Sequence, residues 1–219
     1  MSGVIKSSLA RKYAMALSGL FLVVFLLQHF TINLTSVFSK DVFNEISHFM
    51  GNNPLVQFVL QPILIFGVIF HFLMGFVLEL KNRSARAQNY AQNKGSANSS
   101  WMSRNMIWSG AVILSFLVLH FIDFWFPEMN YKYIESLPSD PNRYFEEMVH
   151  KFVNPIRVVA YVVSFGFLML HLLHGFSSSF QSVGLNNKYT RGFKTFTIAF
   201  SIVIPVGFIF IAIFHHLNA

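Results

Sequence analysis

The chain of 219 residues contains no cysteine. That absence excludes a disulfide framework, a thiolate-held iron–sulfur cluster, a zinc finger and a haem attached through C-x-x-C-H, so any metal bound here rests on His, Met or oxygen ligands. Charge is scarce too: Asp, Glu, Lys and Arg make up 11% of the residues, against about 25% in an ordinary soluble domain. No G-x-G-x-x-G, P-loop, H-E-x-x-H or G-x-S-x-G occurs, so whatever substrate chemistry the chain serves takes place in another chain. What is abundant is apolar bulk, 54% of the residues and 27 of them Phe. Such a surface would precipitate a water-soluble fold, which excludes a cytosolic single-domain enzyme. The formal net charge of +7 comes from short Lys and Arg clusters between apolar runs. Membrane topology explains these better than nucleic-acid binding, and no nucleic-acid partner is expected.

Crossing a hydrocarbon core takes roughly 20 apolar residues in a helix, and five runs qualify: Tyr13 to Leu34, Phe58 to Leu80, Met106 to Phe126, Pro155 to Phe176 and Phe196 to Leu217. The reading is an all-α integral membrane protein, residues 1–219 forming one transmembrane domain. The first run follows Lys6, Arg11 and Lys12 but is too long for a signal-peptide core and lacks an A-x-A site, so it reads as a retained helix. With the N-terminus inside, eleven Lys and Arg share the cytoplasmic side with the single acid Glu79, while five basic residues and eight acids lie outside. The positive-inside rule therefore places the N-terminus in the cytoplasm. Asn82 to Ser103 is a polar cytoplasmic loop without a core-forming period, a surface on which a partner can dock. Pro127 to Asn154 is an outer loop in which S-D-P-N starts a short interfacial helix, RYFEEMVHKF, ending at Pro155.

Four of the nine histidines, His29, His71, His120 and His171, lie one to each of the first four helices, with His174 one turn beyond the last. A lone membrane histidine often just bonds a neighbouring carbonyl, but ionisable groups at this depth are costly and four in register point to a site. At a rise of about 1.5 Å per residue, His29 and His120 share an outer depth, and His71 and His171 share an inner one. Two stacked histidine pairs suit two bis-imidazole haems, each iron taking one ligand from each of two helices, with the first four helices bundled around them. Gly75 and Gly175 repeat an H-x-x-x-G pattern, and the missing side chains leave room on the ligand face. Packing of small residues is the ordinary alternative. His174 at i+3 is the other candidate for the fourth ligand. His171 is preferred for its glycine context, leaving His174 near a propionate or in a plain hydrogen bond. His48, His150, His215 and His216 read as solvated residues of the outer loops.

F-L-L-Q-H-F-T-I-N around His29, D-V-F-N-E-I-S-H-F-M in the following loop, F-H-F-L-M-G with His71, V-L-H-F with His120 and L-H-L-L-H-G-F before Q-S-V-G-L-N-N together resemble the single-chain, di-haem cytochrome b subunit of succinate:quinone oxidoreductases, that is, succinate dehydrogenase or fumarate reductase. The resemblance spans essentially the whole chain and rests on the order and spacing of these segments. It implies a membrane anchor of the respiratory chain and tricarboxylic acid cycle in a bacterial cytoplasmic membrane. Its cytoplasmic face would carry an iron–sulfur subunit and, through it, a flavoprotein subunit. Electrons would pass through the inner and outer haem b to a quinone such as menaquinone. The extra His174 departs from the pattern.

Quinone reduction also consumes protons, and around the outer haem Asn33, Asp123, Trp125 and His48 are the polar candidates. For Asp123 an interfacial cap on its helix is the more ordinary reading. Arg157 is a candidate propionate partner, or a residue snorkelling to lipid phosphate. Two rival readings stay open. One is the di-haem cytochrome b of a formate dehydrogenase, hydrogenase or nitrate reductase, and the other a transporter or proton channel with unliganded histidines.

Overall fold

The structure, a computed structural model, describes residues 8–84, 105–184 and 190–219. Most of the polar loop from Asn82 to Ser103 lies outside them. The described residues are almost all helical, the longest break being residues 135–142, with no strand among them. They form α1 (Ser8–Phe38), α2 (Lys40–Asn52), α3 (Gln61–Ser84, preceded by a π-helical turn Val56–Leu60), α4 (Met106–His120), α5 (Arg143–Phe152), α6 (Pro155–Ser182) and α7 (Thr190–Leu217). The helix of α4 runs on through Phe121–Trp125, Phe126–Met129 and Asn130–Ile134. Five helical stretches are long and apolar enough to cross a membrane: Leu9–Phe38, Val56–Lys81, Met106–Ile134, Pro155–Ser182 and Arg191–Leu217.

Two segments expected as loops are helical. Residues 41–50 belong to α2, whose N-terminus is capped by the Ser39 hydroxyl accepting from the Val42 amide at 3.3 Å. Its buried face is Phe43 and Asn44. The third span does not stop at Phe126. Pro127 removes the amide that would bond the Asp123 carbonyl, and the helix absorbs the loss by loosening into a π turn, Phe126 N–H donating to the Phe121 carbonyl five residues back. Pro62 follows the π turn at Val56–Leu60 by the same interval.

The spans pack in a ring, α1 against α3, α3 against α4, α4 against α6 and α6 against α1, so that α1 and α4 face each other across one diagonal and α3 and α6 across the other. The fifth span is more than a peripheral addition. Helix α7 lies along the α1–α6 edge, and 44% of its apolar stretch is buried against none of the Val56–Lys81 stretch. Ser201, Thr197 and Ala212 let its backbone approach closely, while Phe208 stacks on Phe165 at 5.2 Å and meets Phe30 edge-on at 5.2 Å. Val24, Phe66, Trp108 and Val203 point outward and are exposed, as side chains facing lipid would be.

Arg11, Lys12, Lys81, Arg191 and Lys194 gather at one end of the bundle, the basic end. At the other end α2 and α5 form a lid, joined where the Asn44 side-chain oxygen Oδ1 accepts from the Phe145 amide at 2.9 Å. Below them Arg143, 6% exposed, bonds Glu128, bonds Glu147 at 3.0 Å and lies over the Tyr131 and Tyr144 rings at 4.0 and 4.5 Å. Lys132 and the Tyr144 hydroxyl complete the shell of Glu128 at 2.5 and 2.7 Å. Burial, and then the Glu128 carboxylate, hold the Tyr144 hydroxyl well above the ordinary tyrosine range. Burial works against the Arg143 charge, but Glu128 and Glu147 outweigh it and raise its pKa. Arg143→Ala is expected to destabilise the detergent-solubilised protein by about 2–4 kcal/mol, because Glu128 loses its best partner while staying largely buried. Thermal unfolding checks this, and Arg143→Lys should recover only part, lacking the planar fork that stacks on both rings.

Candidate functional site

Both diagonals of the ring carry a histidine pair. His71 of α3 and His171 of α6 face each other with ring centres 6.4 Å apart, and His29 of α1 and His120 of α4 with centres 5.7 Å apart. His174, half-buried one turn along α6, makes no ring contact or hydrogen bond among the described residues. Of the two candidates on that helix it is His171 that faces His71. Antiparallel pairing sets the levels: Met15, Ser18 and Phe21 of α1 meet Gly75, His71 and Gly67 of α3, and Met106 and Ser109 of α4 meet Gly175 and His171 of α6. Ser18 and Ser109, which touch the inner histidines, each precede the outer histidine of their own helix by eleven residues. The two levels therefore lie about 16 Å apart along the bundle.

Around the inner pair, the Ser18 hydroxyl lies 3.0 Å from His71 Nδ1 and the Ser109 hydroxyl 3.2 Å from His171 Nδ1. A Cβ on Gly19 would sit 3.4 Å from His71 Cε1, and one on Gly110 3.8 Å from His171 Cε1. None of these four residues was singled out in the sequence. Their signal is a repeated spacing, M-x2-S-G-x9-H, which covers Met15, Ser18, Gly19 and His29 in α1 and Met106, Ser109, Gly110 and His120 in α4. Gly75 and Gly175 each face a methionine of the paired helix. A Cβ there would stand 3.5 Å from the Met15 methyl and 2.9 Å from the Met106 methyl, so a flexible thioether chain from the paired helix fills each space.

The outer pair sits among rings. Phe25 stacks on His29 at 5.4 Å, Phe116 stacks on His120 at 5.8 Å, and Phe208 of α7 comes within 5.8 Å of His29. Asn33 donates to the His29 carbonyl at 2.8 Å, and its amide nitrogen is 3.4 Å from His29 Nε2. His120 Nδ1 is buried with no hydrogen-bond partner among the described residues.

Asp123 is not a helix cap, because the helix continues past it. It is 2% exposed and accepts a hydrogen bond from the Tyr161 hydroxyl at 2.9 Å. Its other oxygen lies 3.2 Å from Arg157 Nη1. Arg157, expected at a propionate or in lipid phosphate, thus has a carboxylate partner within the chain. Asp123 also lines a cleft of about 350 Å³ with Pro127, Glu146, Glu147, His150 and Lys151. The other polar candidates lie apart: Trp125 contacts Phe121 and Phe126, while His48 bonds the Asp140 carbonyl at 2.9 Å and meets Tyr144 edge-on. His215 and His216 are not solvated loop residues. His215 is 2% exposed with Nε2 at 2.8 Å from the Ser36 hydroxyl, and His216 Nδ1 lies 2.8 Å from the Phe152 carbonyl.

Among the described residues no group of three or more His, Asp or Glu is placed to hold a bare metal ion. Each level offers two imidazoles, and a metal–imidazole bond of about 2 Å on either side sets facing ring centres about 6 Å apart. The observed separations fit that requirement. The chain matches no family model, no curated protein and no solved structure.

Proposed function

We propose that this chain is the membrane anchor of a succinate dehydrogenase or fumarate reductase, holding one haem b between His29 and His120 and another between His71 and His171. The single observation that carries the reading is the pair of facing histidines on each diagonal, at ring separations of 5.7 and 6.4 Å. Two opposed imidazoles under-ligate a bare ion, whereas haem b would ask of the protein only the two donors that each level offers. Haem b, when bound, supplies one-electron carriage. The chain's own residues do the rest. The helices hold the imidazoles in register, Phe25, Phe116 and Phe208 exclude water from the outer level, and the basic end, placed in the bacterial cytoplasm, receives the iron–sulfur and flavoprotein subunits. Asp123, buried beside Tyr161 and lining the cleft under the lid, is the group placed to hold a proton for a quinone at that end. The choice of a succinate or fumarate complex over another respiratory oxidoreductase rests on the chain-wide sequence resemblance.

A reduced-minus-oxidised absorption spectrum of the purified protein, with a haem-to-protein ratio, is expected to show b-type bands and two haems per chain. Co-purification with a flavoprotein reduced by succinate is the second expected result. A haem-free, correctly folded protein would leave a transporter or channel as the reading. Haem with a molybdenum or nickel enzyme as the bound partner would move the chain to another respiratory complex.

A further inference from the structure

We propose that Ser18 and Ser109 are positioning residues that fix the ring tautomer of His71 and His171, holding the proton on Nδ1 and leaving Nε2 as the free donor. A serine hydroxyl carries one proton. In both helices it is already committed: Ser18 donates to the Met15 carbonyl at 2.9 Å, and Ser109 donates to the Met106 carbonyl at 2.9 Å. With that proton given to the carbonyl, these oxygens accept at their contacts with His71 Nδ1 and His171 Nδ1, 3.0 and 3.2 Å away. The ring nitrogen must be the N–H, and a neutral imidazole has one N–H. The lone pair is left on Nε2. Gly19 and Gly110, next in sequence, let the Cε1 edge of each ring lie flush against the neighbouring helix, so each ring is held at Nδ1 and at the carbon between its nitrogens.

Two arrangements of the same parts, on different helix pairs and at the same spacing, set this apart from a chance contact. The outer level has no counterpart, since Asn33 approaches Nε2 rather than Nδ1 of His29 and His120 Nδ1 has no hydrogen-bond partner among the described residues. The inner level is thus arranged for a ligand in advance, and the outer level is not. Ligand orientation of this kind typically changes metal affinity by roughly 10- to 100-fold. The consequence for haem rests on the proposed cytochrome function, whereas the placement of the proton does not.

The test uses the full chain labelled with ¹⁵N-histidine in lipid, studied without haem and then loaded with it. In the haem-free protein, ring nitrogen shifts should show His71 and His171 as Nδ1–H tautomers, beside His216, whose Nδ1 donates to the Phe152 carbonyl. Ser18→Ala should release His71 and Ser109→Ala His171, while Ser18→Thr, which keeps the hydroxyl, should preserve the native pattern. In the loaded protein either alanine variant should release one of the two haems roughly 10- to 100-fold more readily, with the other component unchanged. Nε2–H tautomers at His71 and His171, or tautomers of these two rings indifferent to both alanine substitutions, overturn the proposal. Nδ1–H tautomers of these two rings in a chain that takes up no haem would uphold the proton placement and remove the cytochrome reading instead.

Discussion

Replacing His71 by Ala is expected to remove one of two b-type spectral components and leave the other intact, and replacing His29 by Ala to do the converse. The expectation follows from the geometry of the diagonals. His71 and His29 lie on adjacent helices, α3 and α1, yet each faces a partner on a different helix, His171 and His120, at levels about 16 Å apart. On the proposed cytochrome reading each haem would be held by two of these imidazoles, so removing one would take away half of its protein ligation and the affected component should fall below detection. His171→Ala should therefore reproduce the His71→Ala spectrum, and His120→Ala that of His29→Ala. His174→Ala should retain both components, because His174 faces no second imidazole. The measurement is a redox-titrated difference spectrum of each variant against total haem. Loss of the same component from His29→Ala and His71→Ala would break the pairing, and loss of the inner component from His174→Ala alone would transfer the ligand role to that residue.

The two levels were legible in the sequence because depth is arithmetic. An apolar run with a known direction and a fixed rise per residue places each histidine along the membrane normal and so pairs His29 with His120 and His71 with His171, which left only the choice between His171 and His174 to be seen in the structure. The serines were not legible in the same way. Ser and Gly are ordinary packing residues in membrane helices, and only their recurrence at equal spacing before His29 and His120 distinguishes them. Helix α2 was missed because its apolar face is narrow and its sequence as polar as a loop, although Phe43, Ile46 and Met50 recur at helical spacing. The extension of α4 was hidden by Pro127 and the charges of Glu128, Lys132 and Glu135, which the sequence presents as the end of a span. Glu128 gathers Lys132 and, from fifteen residues further along the chain, Arg143. His215 looked solvated for a similar reason, since its partner Ser36 stands at the far end of another span. Local pattern thus specified the helices and their depth. Contacts that close the lid end join residues far apart in sequence and were not specified by it.

The largest loss of stability is expected at Arg157. Its partner Asp123 is a carboxylate with a side chain 1% exposed, and its neighbour Tyr161 supplies a single hydroxyl proton. Removing Arg157 leaves a buried charge with one hydrogen bond, a change that typically costs about 3–5 kcal/mol. Asp123→Asn alone should cost less, since the amide still accepts from Tyr161 and Arg157, 31% exposed at its side chain, can turn to water. Tyr161→Phe, which deletes one hydrogen bond, should cost about 1–3 kcal/mol. The decisive variant is the double one. If the cost of Arg157→Ala arises from the uncompensated Asp123 charge, then Arg157→Ala with Asp123→Asn should be more stable than Arg157→Ala alone, by about 1–3 kcal/mol in a double-mutant cycle. Thermal unfolding in detergent, followed by helical circular dichroism, measures each step. If Arg157 instead serves a haem propionate, the same substitution should shift the potential of the outer component, and Asp123→Asn should not rescue it. Stability and potential recorded on one set of variants therefore separate an arginine that neutralises a buried carboxylate from one that faces the cofactor.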